Sequence, residues 1–212
     1  MITIITYVST KQGFENLKRS TVNLEEDYDL GLNILCIVGD KDLYLRCRDW
    51  LQDNIDRAGV LTVFYEGNYP LEWAKENLTF NDPFVYLANQ NLIIPSGGIS
   101  ALYKDFIEQP AAGFISGFFV EYPTVYWVDD IYDAWSKRYR WGEKQVNNNN
   151  LVEVDTTLPT GMLTKSLVYR DLFCRTQLDE YGNLSYGIRL RRQGYKNYLD
   201  TNIKLKYGDA TR

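Results

Sequence analysis

NDPFVYLANQNLIIP, residues 81–95, runs from a turn into a short apolar strand, through three amides, and into a second apolar stretch that stops at a proline. Residues 84–87 are apolar at every position, the pattern of a strand buried on both faces, and residues 92–94 repeat it. Between them stand Ala88, Asn89, Gln90 and Asn91. An open α/β sheet places its ligand crevice at the carboxyl ends of central strands, so these amides occupy a position where binding groups are expected. No carboxylate stands among them.

Upstream, the same alternation of strand and helix occurs three times. Residues 2–8 form a continuous apolar strand ending in Ser9 and Thr10, and Phe14, Leu17, Thr21 and Leu24 follow at helical spacing. Residues 33–38 form a second buried strand, after which Leu43, Cys47, Trp50, Leu51 and Ile55 make the apolar stripe of a helix with Asp42 expected as its N-cap. Residues 60–65 form a third, followed by Glu66-Gly67-Asn68 and a helix through Trp73, Ala74, Asn77 and Leu78. Strands and helices alternating at this spacing predict a mostly parallel central sheet flanked by helices, an α/β fold.

Downstream of Pro95 the pattern loosens. Ile99, Leu102, Tyr103, Phe106 and Ile107 predict an amphipathic helix closed by Pro110, and residues 113–126 read as strand in a sheet of different direction. Asp129, Asp130 and Asp133 fit either a metal cluster or the first turn of a solvated helix that carries Lys137, Arg138 and Arg140 later. Residues 145–150 are polar and low in complexity, the expected mobile loop. A strand at 151–154, an aperiodic stretch at 162–173, a short helix ending at Gly194 and a last strand at 197–205 complete the chain. A single domain over residues 1–212 is expected, with halves at 1–95 and 96–212 divided at Pro95.

Composition removes several kinds of chemistry. The chain has no histidine, so a Ser-His-Asp triad, a Cys-His dyad and His-ligated zinc are all excluded. Three scattered cysteines, Cys36, Cys47 and Cys174, form no CxxC pair and suit a reducing compartment. A net charge of -5 argues against nucleic acid as a partner. The opening MITIITYVST lacks a basic n-region and a long apolar h-region and no window reaches eighteen apolar residues, so no leader, no integral membrane segment and a cytoplasmic location are expected.

Taken in order, the segments resemble the family 2 type of glycosyltransferase, whose nucleotide-binding fold is called GT-A. ITIITYVSTKQGFENLKRS is similar to its first strand and helix, ILCIVGDKD to its second strand with an acidic nucleotide contact, and VFYEGNYPLEWAKEN to its third. FVYLANQNLIIPSGGISAL has the shape of its metal-motif strand, and YGIRLRRQGYKNYLDTNIKL that of its late helix and terminal strand. The resemblance implies a nucleotide-sugar donor and a sugar, lipid or protein acceptor, with residues 1–95 as the nucleotide-binding half and 96–212 as the acceptor-side half. It puts Thr6, Tyr7 and Ser9 at the base and ribose, Asp40 as an acceptor for base or ribose, and Asn68 at the pocket wall. The family's paired aspartates fall on Asn89 and Asn91, its acidic pair before the late helix falls on Gly182 and Asn183, and its late histidine has no counterpart.

These departures shape the chemistry that the resemblance implies. Sugar transfer requires a base for the acceptor hydroxyl, for which Glu180, beside Asp179, is the candidate, and positive charge on the leaving diphosphate. Thr160, Gly161 and Met162 resemble the acceptor-side loop. With two carboxylates replaced by amides, binding of manganese or magnesium is expected to be weak and no metal ligand is assigned; Asn89 and Asn91 either touch the sugar diphosphate directly or are remnants of a lost activity. The alternative to an enzyme is a non-catalytic relative that binds or scaffolds. A nucleotidyltransferase-like enzyme is a third possibility, but it would need acidic ligands at the sheet.

Overall fold

A computed structural model of the chain describes residues 1–119, 127–128, 141–142, 151–154, 160–173 and 183–208. The first strand, β1 (Ile2–Val8), is built of β-branched and apolar residues buried along nearly its whole length. It is followed by α1 (Lys11–Asn23), β2 (Leu32–Val38), α2 (Lys41–Asn54), β3 (Gly59–Phe64) and α3 (Pro70–Asn77). Then come β4 (Phe84–Ala88), β5 (Leu92–Ile93), α4 (Gly98–Glu108) and β6 (Ala112–Phe119). Two short strands, β7 (Trp127–Val128) and β8 (Trp141–Gly142), pair antiparallel with each other. The chain continues through β9 (Leu151–Val154), β10 (Met162–Lys165), α5 (Ser166–Leu172), α6 (Asn183–Arg192) and β11 (Lys196–Tyr207).

The main sheet has the order β3-β2-β1-β4-β10-β6-β11-β5, with β9 beside β11. β3, β2, β1 and β4 are mutually parallel, in register from Ile2 with Leu32 on one side and Phe84 on the other. β10 is antiparallel to both β4 and β6, while β11 is parallel to β6, so β6 and β11 run in the same direction as β1. The described part of the segment expected to form a sheet of different direction, residues 113–119, therefore joins the main sheet. The reversal lies in β10, whose four residues pass at once into α5; this abrupt change of period is why residues 162–173 showed no clean alternation.

Apolar residues fill both faces of the sheet. Ile2, Ile4 and Val8 pack with Phe14 and Leu17 of α1, Leu51 of α2 and Phe106 of α4. Ile5, Leu35, Val85 and Leu87 pack on the other side with Ala74 of α3, Tyr169 of α5 and Leu190 of α6. Cys36 and Cys47 are buried free thiols.

Helix starts are set by local caps. Thr10 caps α1 by accepting from Gly13 N at 3.0 Å. Asp40, not the expected Asp42, caps α2 by accepting from Leu43 N at 2.8 Å; Asp42 falls in the first turn, where a carboxylate suits the helix dipole. The first turn of α4 is held from a distance, because Ser100 N donates to Asp27 Oδ1 at 2.8 Å. Burial pushes the Asp27 carboxyl up against the opposing effect of that hydrogen bond.

Asp105 of α4 faces Asp200 of β11. Burial first, then the charge and hydrogen bond of Asp200, raise the Asp105 carboxyl from 3.8 to about 7; Glu108 adds to the rise and Lys104 opposes it. The folded chain holds this proton where the unfolded chain has lost it, so the associated stability is full below about pH 4 and disappears as pH rises through about 7. Thermal melting should therefore show a higher Tm at pH 5 than at pH 8, and Asp105→Asn should flatten that difference. An unchanged pH profile in the variant would remove the pair as its source.

Candidate functional site

The carboxyl ends of β1, β2, β3 and β4 meet at one edge of the sheet, which is where the parallel order directs a ligand crevice. At the end of β4, Asn89 folds its side chain back into its own turn. Its Oδ1 accepts from Asn91 N at 2.9 Å and from Leu92 N at 3.1 Å. Asn89 N in turn donates to Thr160 Oγ1 at 2.9 Å. Asn91 is exposed, and its carbonyl accepts from Gly208 N at 2.7 Å, tying the turn to the end of β11.

Gln90, the middle amide, reaches the first strand. Its Oε1 accepts from Ser9 N at 2.9 Å, Ser9 Oγ at 3.0 Å and Thr10 Oγ1 at 3.3 Å. Asn16 of α1 donates to the Gln90 carbonyl at 3.0 Å. The end of β4 is thus clasped to the end of β1 and the first turn of α1. Gln90 stands among the amides expected at the ligand edge but carries no assigned role in the sequence reading, although the signal for this clasp is present. Phe84, Tyr86 and Ala88 share the α1 face of the sheet, and extending the period of two places Gln90 on that face.

The remaining candidates divide by strand face. Thr6 is buried beneath α1, where it lines an internal cavity of about 10 Å³. Tyr7 points to the other face and closes on the end of β2. A Cβ on Gly39 would stand 2.2 Å from the Tyr7 hydroxyl, so only glycine admits that ring beside Asp40. Asp40 has one oxygen committed to its helix cap. Asn68 stands exposed on the β3–α3 turn with no hydrogen bond to Tyr7 or Asp40. Tyr65 and Trp73 stack across that turn with centroids 5.0 Å apart.

Thr160, Gly161 and Met162 lie inside the sheet in this conformation. Thr160 and Met162 are buried, and Gly161, at φ 72°, donates its N–H to Leu87 O at 2.8 Å while its carbonyl accepts from Ser116 Oγ at 3.0 Å. A Cβ on Gly161 would meet Leu205 at 2.2 Å. Asp179 and Glu180, the candidate base and its neighbour, lie outside the described residues, as do Asp129, Asp130, Asp133 and the loop at 145–150. Among the described residues, no group of three or more His, Cys, Asp or Glu side chains is placed to hold a metal ion.

No family model matches the chain, and no curated protein matches it. Solved structures do. The mannosyltransferase PcManGT from Pyrobaculum calidifontis, determined with GDP-Man and Mn2+, superposes with a TM-score of 0.68 at 14% identity, over 100% of this chain and 57% of that one. S. aureus TarS 1-349, determined with UDP-GlcNAc, superposes at a TM-score of 0.66 and 10% identity, over 100% of this chain and 58% of that one. The chain thus spans a little over half the length of both structures. At these identities the likeness shows the fold, a curled and mostly parallel α/β sheet flanked by helices that is shared with nucleotide-sugar glycosyltransferases.

The clasp at Gln90 predicts two stability effects. Gly13→Ala in α1 would ordinarily gain about 1 kcal/mol of helix propensity. Here the new Cβ would stand 2.8 Å from both Cβ and Oε1 of Gln90, so the variant should instead lose about 1–3 kcal/mol in denaturant melts. Gln90→Leu, which removes the acceptor shared by Ser9 and Thr10 at an edge that water can reach, should cost about 0.5–1.5 kcal/mol. Neutral behaviour of both variants would mean that the clasp does not hold the edge together.

Proposed function

We propose that the chain is a glycosyltransferase core that takes a nucleotide-diphosphate sugar as donor and depends weakly or not at all on a divalent cation. The observation that carries this reading is the whole-chain superposition on two structures determined with nucleotide sugars, combined with the polar turn at the end of β4. Tyr7, Ser9, Asp40 and Asn68 stand at or beside the ends of β1, β2 and β3, where such a fold receives the nucleotide. The acceptor is a sugar, lipid or protein hydroxyl, and Glu180, with Asp179 beside it, is assigned as the base that takes its proton.

The turn at β4 does not fit a divalent ion. Hard cations favour carboxylate oxygens, and here the Asn89 carbonyl oxygen is already accepting two backbone N–H groups. A unit-charge contact at about 4 Å is worth on the order of 4 kcal/mol at an effective dielectric near 20, so two carboxylates lost are not replaced by two neutral amides. Positive charge for the leaving diphosphate is instead assigned to Lys11 and Lys41. Each is the first residue of its helix, α1 and α2, directly beyond the ends of β1 and β2. A cation there opposes the helix dipole by ~0.3–1 kcal/mol, a local cost that makes sense if an anion binds between the two helix starts. Among the described residues no helix is long and apolar enough to cross a membrane.

A second reading, a non-catalytic relative that binds the nucleotide, is favoured by the same Asn89 turn, which leaves that side chain's oxygen nothing to offer a substrate. Calorimetric titration with GDP, UDP and ADP, each with and without manganese, followed by a hydrolysis assay of the matching sugar nucleotide, separates the two. We expect one diphosphate to bind with little response to manganese. Lys11→Ala with Lys41→Ala should weaken it by about tenfold or more. Asn89→Asp with Asn91→Asp should bind more weakly in chelator and more tightly in manganese than the natural protein. Binding without turnover selects the second reading, and no binding of any diphosphate defeats both.

A further inference from the structure

α3 has only eight residues, and the connection after it leaves part of the β1–β3 face open. A groove of about 360 Å³ lies there, at the amino ends of the strands and away from the candidate nucleotide edge. Its size falls in the range of small-ligand pockets, ~300–1,000 Å³. Thr3 Oγ1 and Asn33 Nδ2 each donate to Asp82 Oδ2 at 2.7 Å on its floor. Gly59 keeps Asn33 in place, since a Cβ there would stand 2.2 Å from Asn33 Oδ1. Asp82 is 5% exposed, and among the described residues no hydrogen bond or ion pair reaches its Oδ1. Leu78 and Phe80 form one wall and Leu61, 53% exposed, forms part of the other. Among the described residues, no lysine or arginine lines the groove.

Two neutral donors fix one carboxylate oxygen of Asp82 and leave the other open to the groove, where no cation faces it among the described residues. The apolar walls beside it suit a methylene stem. We propose that this groove binds an alkyl-guanidinium or alkyl-ammonium group, with the cation on Asp82 Oδ1 and the stem along Leu61, Leu78 and Phe80. The same chemistry is offered by a free aliphatic amine and by an arginine or lysine side chain of a partner. The site stands whether or not the nucleotide reading does, because it uses neither the residues nor the end of the sheet assigned to that reading.

The test is a titration of agmatine into the isotope-labelled chain, following the amide resonances of Thr3, Asn33 and Leu61, with n-butanol as the neutral control. Agmatine should shift these resonances saturably and n-butanol should not. Asp82→Asn, which keeps an amide oxygen for Thr3 and Asn33, should weaken agmatine by about tenfold or more. Leu61→Lys, at an exposed position, should place its own ammonium in the groove and abolish agmatine binding, a result that does not require Asp82→Asn to fold. Tighter binding of a short arginine-containing peptide than of agmatine supports the site with a partner's side chain as the source; weaker or equal binding supports it with the free amine. Unmoved resonances, equal binding to Asp82→Asn, or agmatine binding undiminished in Leu61→Lys each overturn the proposal.

Discussion

β1 is paired in parallel on both edges and packed on both faces, so all of its side chains except the half-buried Tyr7 are buried before any function is considered. Truncating a buried Ile such as Ile4 or Ile5 to Ala would cost about 2–5 kcal/mol, a large fraction of what a domain has to spare. A strand constrained in this way offers chemistry only towards its two ends. Ser9 and Thr10 are the first polar side chains that β1 releases, and both turn at once to Gln90 at the end of the neighbouring strand. The candidate edge is therefore a by-product of a doubly buried centre: polar groups collect where the apolar runs stop.

That dependence explains which parts could be read from the sequence. β1, β2 and β4 are continuous apolar runs because both of their faces are covered, and they appeared almost to the residue. β3 is equally apolar, but it is an edge strand whose side chains are only partly covered. Past Pro95 the information thins. β10 is four residues long and inserted between strands that lie far from it in sequence, so neither length nor period announced it. Asp40 and Asp42 were both plausible caps by composition; the choice rests on which carboxylate can reach Leu43 N, a matter of backbone geometry. Burial of Thr160 and Met162 followed from β10 and was invisible without it. Asp82, Asp105 and Asp200 were likewise silent, because their partners come from other strands and helices.

The polar turn after β4 separates what the backbone requires from what the charge would change. Asparagine satisfies the backbone of a tight turn as aspartate does, so the fold is indifferent to the exchange. The electrostatics are not. A pair of carboxylates would make the edge attractive to cations and repellent to a diphosphate, whereas amides leave it neutral and give the nearby helix starts and lysines greater weight.

The pairing of β5 with β11 has a consequence for how the chain comes to be folded. Lys206 and Tyr207 lie against Ile93 and Leu92, and β10 covers the edge of β4 from an equally remote part of the sequence. Contacts of such long sequence separation close large loops and form late. During synthesis the first four strands would emerge with the outer edge of β4 bare and the apolar β5 turn without its partner. For that interval, the chain carries a sticky template that only its own last strands remove, and conditions that slow the arrival of those strands should favour association between chains over completion of the sheet.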